Sequence, residues 1–437
     1  MDRRRFLTTS LGIPLAAVAH AQTTPPNSVR DLTERLNPKI QHDREAALDV
    51  LKPSKLELER GLQLHHESLV FDAYGFSPRA ALDGDRMAEE MSAGASAIEL
   101  KDLREEMNMT RYVTDPLERR EYMDAWRASG VTCVFQNAGE EGQDPLRLIK
   151  RLARFTFATD LLRDFVSKAA SPQDILQAKR EHRHCLYFSG NGVPLTQEWV
   201  SVPDELRYLR VYFQLGIRMM HLTYQRRNMI GDGCAEGANA GLSDFGRSVI
   251  AEMNRVGVIP DCAHSGWQTS LEAAQVSEKP VVASHTTCAE IYPHIRSKPD
   301  NVIQAIADSG GYVGICCIPS FLRGTGDIGV LLDHIEYVVK KFGADRVAIG
   351  TDVAYSSQNT AAERRKLPRR NRTRREFRSL WPADSYRTTQ TARDSVAWTN
   401  WPLFTVGLVQ RGLSETDIQK IIGGNVLRVA RETMGTV

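Results

Sequence analysis

The sequence predicts an α/β protein of the (β/α)8 TIM-barrel class, and three observations carry that reading. Short apolar runs alternate with helical patterns along most of the chain, which is the order that builds a parallel sheet wrapped by helices. The 437 residues exceed one ordinary core but suit a single barrel with insertions. No internal repeat or low-complexity segment interrupts the alternation. Eight strand-like runs fall at 68–73, 131–136, 184–189, 217–223, 258–261, 280–284, 311–317 and 346–350. Helical patterns separate them at 116–128, 145–166, 203–215, 242–255, 267–275, 300–309 and 328–342, and two more helices, about 387–410 and 414–433, close the chain.

The first 21 residues read as an export signal. Arg3, Arg4 and Arg5 precede Phe6-Leu7, a short apolar run follows, and Ala19-His20-Ala21 is a small-x-small cleavage site. The run is too short to span a bilayer. An arginine pair in this context resembles the twin-arginine signals that export folded proteins, so the expected location is periplasmic or secreted. Residues 22–64 are polar and helical in flavour and form an N-terminal arm before the barrel at 65–437.

Composition excludes several function classes. Charged residues make up 25% and the formal net charge is +2, so no global basic field points to nucleic acid. No apolar run after the signal reaches transmembrane length. Seven cysteines are present, an odd number without a CxxC, mostly inside apolar runs. They read as buried thiols rather than a disulfide framework. Two insertions stand out: 84–111, rich in methionine, and 355–385, which carries a basic stretch at 364–378 and reads as a solvated loop.

The barrel's chemistry is expected where strands end. Within 258–296, one apolar run stops at Asp261-Cys262-Ala263-His264 and the next at Ser284-His285-Thr286, with one helix between them. Neutral imidazole is the commonest metal-ligating side chain. Histidines on two neighbouring strand ends read either as caps or as a metal or catalytic pair.

Ordered motifs then identify a resemblance. Gly241-Leu242-Ser243-Asp244-Phe245-Gly246, Met253-Asn254-Arg255-Val256-Gly257 and Asp261-Cys262-Ala263-His264 resemble the core of the membrane (renal) dipeptidase family. So do 280–285, Arg296 with Pro299-Asp300, Ala348-Ile349-Gly350-Thr351-Asp352, Gly423-Gly424-Asn425-Val426-Leu427-Arg428, and Arg154-Phe155-Thr156-Phe157-Ala158-Thr159-Asp160. The resemblance implies a barrel of the metal-dependent-hydrolase type with a binuclear zinc site that cleaves dipeptides. It implies His264 and His285 as ligands of the second zinc, Arg296 as the holder of the substrate carboxylate, and Asp352 as the acid near the bridging water.

Other family positions are changed. Tyr74 and Phe76 stand where the family has a His-x-Asp pair, Ser189 stands for the bridging glutamate, and Tyr224 for the fourth-strand histidine. Phenylalanine coordinates nothing, and serine is a poor substitute for a bridging carboxylate. A two-metal site is therefore not expected. At most one divalent ion, zinc first, is expected on His264 and His285, with Asp352 available to complete a 2-His-1-carboxylate set that also suits non-haem iron. Tyr74 and Tyr224 add phenols to the substrate pocket. Replacement ligands, if present, are sought at Asp72, Asp232 and Glu236, each of which also reads as a capping or loop acid.

Two functions follow as expectations. One is metal-dependent hydrolysis of a dipeptide or small amide, with Asp352 as general base and Arg296 on the carboxylate. The other is a non-catalytic accessory role in periplasmic peptide maturation, siderophores being an example. A mononuclear oxidative enzyme on the same three residues is a third. The partner is a small peptide-like ligand, and a homodimer is a further expectation.

Overall fold

The apolar runs become eight short parallel strands: β1 Phe71–Gly75, β2 Cys133–Asn137, β3 His184–Gly190, β4 Ile217–His221, β5 Ile259–Asp261, β6 Ala283–Cys288, β7 Val313–Ile315 and β8 Val347–Ile349. This is a computed structural model, and it describes residues 32–33, 36–139, 144–368 and 381–434. Residues 1–21, expected to be an export signal, and the basic stretch beyond residue 368 lie outside the described residues. All residues of these strands are buried, as parallel strands covered on both faces must be.

Strand pairing follows chain order. The ladder β1–β2–β3–β4–β5 is continuous, and β6–β7–β8 forms a second one. A parallel bridge between Asp261 and Val282 joins the two. On the other side, the Asp352 amide donates to Tyr74 O at 3.0 Å, bringing the end of β8 back to β1. Phe71, Phe135, Tyr187, Met219, Ile259 and Tyr312 fill the enclosed space, so the barrel is a packed core. A second apolar layer lies between strands and helices.

The helices start where sequence chemistry allows. Ser54, Ser96 and Ser171 each make a capping box with an acid three residues on, satisfying amides that would otherwise lack partners. The arm contributes two helices, Pro38–Leu51 and Lys55–Glu67. The second lies against Trp401–Gln410 so closely that a Cβ on Gly61 would stand 2.6 Å from Val406 Cα. The methionine-rich insertion folds as helices Gly84–Ser92 and Ala97–Thr114, and its methionines 87 and 107 bury against Leu82 and Leu100. Among the described residues no helix is long and apolar enough to cross a membrane.

Several boundaries differ from the sequence expectation. The run expected at 280–284 pairs as Ala283–Cys288, because Pro280 has no amide to donate and the ladder to β7 uses Ala283 and Thr286. His285 therefore sits inside β6 rather than at its tip. The helix expected over 387–410 is divided into Gln390–Ser395 and Trp401–Gln410, with Pro402 in the first turn of the second piece. The helix at 145–166 stops at Leu161, and Val166–Lys168 adds an edge strand to β3.

Candidate metal centre at the barrel mouth

The β5 and β6 ends are locked together by one carboxylate. Asp261 Oδ1 accepts from the Ala263 amide at 2.9 Å and the Ser284 amide at 3.0 Å. Its Oδ2 accepts the Ser284 hydroxyl proton in a short bond. That fixes the next contact. Ser284 has given its one proton to a carboxylate, so its oxygen, 2.8 Å from His285 Nδ1, can only accept there. His285 carries its proton on Nδ1 and a lone pair on Nε2.

His264 is held from the other side. Its Nδ1 lies 2.8 Å from Gln225 Oε1, which also accepts the Cys234 thiol at 3.0 Å. Nε2 of His264 is the ring nitrogen turned toward His285. The two Nε2 atoms stand 2.9 Å apart. Both rings are fully enclosed, and burial, then the nearby Arg296 charge and neighbouring histidine, hold both far below the usual histidine range. They are neutral at neutral pH. Both Nε2 atoms face the same point, and Arg296 Nη2 lies 3.5 Å from that of His264.

His221 closes the group. It is the last residue of β4 and pairs in register with Asp261 of β5. Its Nε2 is 2.8 Å from Asp261 Oδ2, yet neither ring nitrogen makes a hydrogen bond of acceptable geometry. The ring centres of His221, His264 and His285 are 4.9, 5.0 and 5.2 Å apart. One ligand atom each from His221, Asp261 and His285 lie within 4.8 Å of one another, and all three residues are buried. Burial pushes Asp261 up, but the His221 ring and the Ser284 bonds outweigh it and hold the carboxyl below its usual range. This donor set, imidazoles with one anionic oxygen, fits a single divalent cation.

The residues singled out from sequence all come to this mouth. Tyr74 stacks on His285 with ring centres 4.0 Å apart, and Tyr224 stacks on His264 at 4.2 Å. Arg296 is fully buried. Its Nη1 donates to Ala263 O in a short bond, its Nη2 to His285 O at 3.0 Å, and Nη2 lies 3.5 Å from His264 Nε2. Its Nε has no partner. Asp300 is not its mate, since that carboxylate takes Tyr337 and Lys341. Phe321 lies under the guanidinium at 5.2 Å and stacks on Trp381 at 5.3 Å. Asp352 follows β8 with φ of 55°, a left-handed conformation that aspartate tolerates better than most residues.

The positions expected to be altered carry no ligands. Phe76 sits 6.1 Å from the Tyr74 ring, and the Ser189 hydroxyl donates to Gln136 O at 3.3 Å. The three acids named as possible replacements are engaged elsewhere. Asp72 accepts from Thr351 and Trp398, Asp232 pairs with Arg227, and Glu236 accepts the Arg227 amide. Among the described residues, the donors grouped here fit one ion and not two. The carboxylate grouped with the imidazoles is Asp261. Asp261 and His221 are not among the site residues expected from sequence, although each ends its strand.

Comparison with known proteins agrees with this fold. Residues 62–364 match the membrane dipeptidase family (peptidase family M19). The chain is 24% identical over 326 residues to dipeptidase tcpJ of Claviceps purpurea, covering 74% of this chain and 64% of that protein. It is 28% identical over 245 residues to dipeptidase verJ of Clonostachys rogersoniana, 54% of this chain and 53% of that one. The matches thus span about half to under two thirds of these relatives. Among solved structures, an amidohydrolase from Pseudomonas aeruginosa superposes with a TM-score of 0.62 at 24% identity, over 86% of this chain and 99% of that one. The probable dipeptidase PvdM of the same organism gives 0.61 at 18% identity, over 87% and 99%. These structures share the barrel. The chain belongs to the membrane dipeptidase family.

Proposed function

We propose that this protein is a metal-dependent hydrolase of dipeptides or small amides that works with one divalent ion, zinc first. The observation that carries the reading is the pair of neutral His264 and His285 Nε2 atoms, 2.9 Å apart at the barrel mouth beside the Arg296 charge. When bound, the ion supplies Lewis acidity toward the scissile carbonyl. Arg296 receives the substrate carboxylate through Nε, the donor its backbone bonds leave over. Asp352 takes the proton of the attacking water. Tyr74 and Tyr224 border the substrate from above the two histidines, and the Phe321–Trp381 stack excludes bulk water.

Turnover of a panel of free dipeptides by chelator-treated and zinc-reloaded protein tests this. Hydrolysis restored by about one equivalent of zinc supports it. Inert reloaded protein across the panel rejects it. The second reading, a non-catalytic accessory protein that holds a peptide-like ligand, draws support from Phe76 and Ser189 at positions where the family has ligands. Ligand binding by calorimetry without turnover would favour it. We further propose periplasmic export through Arg3-Arg4. Replacing both with lysine should retain the precursor in the cytoplasm, and unchanged export would reject the assignment.

A further inference from the structure

We infer that the single ion is held by three histidines, His221, His264 and His285, with Asp261 as the carboxylate beside them, so that β4 supplies a ligand from a position outside the family's metal set. This rests on the single-ion reading of the same site. Three facts converge on it. Gln225 and Ser284 engage Nδ1 of His264 and His285, and the two Nε2 atoms converge 2.9 Å apart. His221 is buried at the same place, with Nε2 2.8 Å from Asp261 Oδ2 and neither ring nitrogen in a well-formed hydrogen bond; among the described residues no other buried histidine has both nitrogens so placed. The three ring centres form a near-equilateral triangle of 4.9, 5.0 and 5.2 Å. Imidazoles sharing one ion at ~2.0–2.1 Å from each nitrogen hold their ring centres roughly 4.5–5.2 Å apart.

The surroundings fit the role. Ligating histidines generally give their second N–H to an oxygen that fixes the tautomer, and Gln225 Oε1 and Ser284 Oγ are those oxygens. Asp261 anchors Ser284, approaches His221 at 2.8 Å and is itself held by two backbone amides. The Tyr74 ring, stacked on His285 at 4.0 Å, stands at the family position of a ligand to the other ion. The altered residues thus form one change: an aromatic ring in place of a ligand on β1, and a new imidazole on β4.

The test is titration of metal-free protein with cobalt(II), followed by visible absorption and elemental analysis, together with X-ray absorption of the loaded unaltered chain. One cobalt per chain, and scattering from three imidazoles, is expected. His221→Gln should weaken cobalt affinity by about 100-fold or more, beyond the 10–100-fold that orienting partners typically contribute. Replacing the exposed His42 with alanine should leave affinity unchanged. Two ions per chain, or only two imidazoles around the ion, would overturn the inference. So would unchanged affinity in His221→Gln. If that variant does not fold, the scattering of the unaltered chain decides alone. Peptide turnover is not a readout here: an intact three-histidine site in a protein that cleaves nothing would reject the hydrolase reading and leave this one standing.

Discussion

Two sets of buried histidines in this protein differ only in their partners. Away from the mouth, His65 places Nε2 2.8 Å from Ser129 O and Nδ1 2.8 Å from the Thr405 hydroxyl. His334 accepts the Cys288 amide at 3.1 Å and approaches Leu322 O at 3.1 Å. Each is a satisfied polar group that ties loops and helices together. At the mouth, His264 and His285 have one nitrogen fixed and the other turned toward its counterpart, while His221 has neither nitrogen in a well-formed hydrogen bond. Burying unsatisfied polar groups costs about 1–3 kcal/mol each. His221, with two such nitrogens beside a carboxylate and two further imidazoles, marks a place where a ligand restores the balance. The convergence of several such nitrogens separates a functional histidine from a structural one here; a single unfilled nitrogen does not, since His184 Nε2 is also buried without a partner.

This contrast can be broken at either end. Replacing His264 and His285 together with alanine should remove bound metal and lower kcat/KM for a cleaved dipeptide by about 1000-fold or more, near 4 kcal/mol. Steady-state kinetics with elemental analysis checks it, and retained metal would contradict it. His65→Ala should do the converse: a loss of roughly 2–4 kcal/mol in unfolding free energy, read by denaturant titration, with metal content unchanged. Arg296→Lys removes the Nε donor and should weaken binding of free dipeptides by roughly 1.5–3 kcal/mol, while C-terminally blocked peptides are unaffected in calorimetry.

Acid sharpens the comparison further. Burial pushes His65 down to about 3 and His184 down to about 4. Their unfolded values are near 6.5, so below that pH the unfolded chain takes up protons that the folded one refuses. The stability they contribute is complete above pH 6.5 and declines as pH falls toward 4 and 3. The slope is roughly 1.4 kcal/mol per pH unit for each histidine. Thermal denaturation of His65→Ala between pH 7 and 5 should show a shallower loss than the unaltered chain. The smallest effect concerns backbone: Asp352 holds φ at 55°, so Asp352→Gly should gain roughly 0.5–1 kcal/mol of stability while turnover falls.

The fold was legible because its signals are local. Eight apolar runs bounded by polar tips, with amphipathic helices between them, need only periodicity to be seen. The edge strand Val166–Lys168 and the pair Ser297–Lys298 are too short to carry a period. The helix over 387–410 looked continuous by composition, and only the turn at Trp398–Asn400 divides it. At the site, Tyr74, Tyr224, His264, His285, Arg296 and Asp352 could be named from strand ends and ordered motifs, and the fold brings them together. His221 lies shortly before Tyr224 in the chain, yet nothing in a linear reading couples it to Asp261. That coupling is a matter of register: His221 and Asp261 are partners across β4 and β5, and register between strands separated by a helix and a long loop is written in no short stretch of sequence.

The central claim is that one cation, and one only, sits among the mouth histidines. Anomalous diffraction at the zinc edge from crystals of zinc-loaded full-length protein tests it most directly. The account predicts a single peak within bonding distance of His264 and His285, with His221 turned toward it and the Tyr74 ring undisturbed on His285. Two peaks, one of them beside Tyr74 and Ser189, would contradict it.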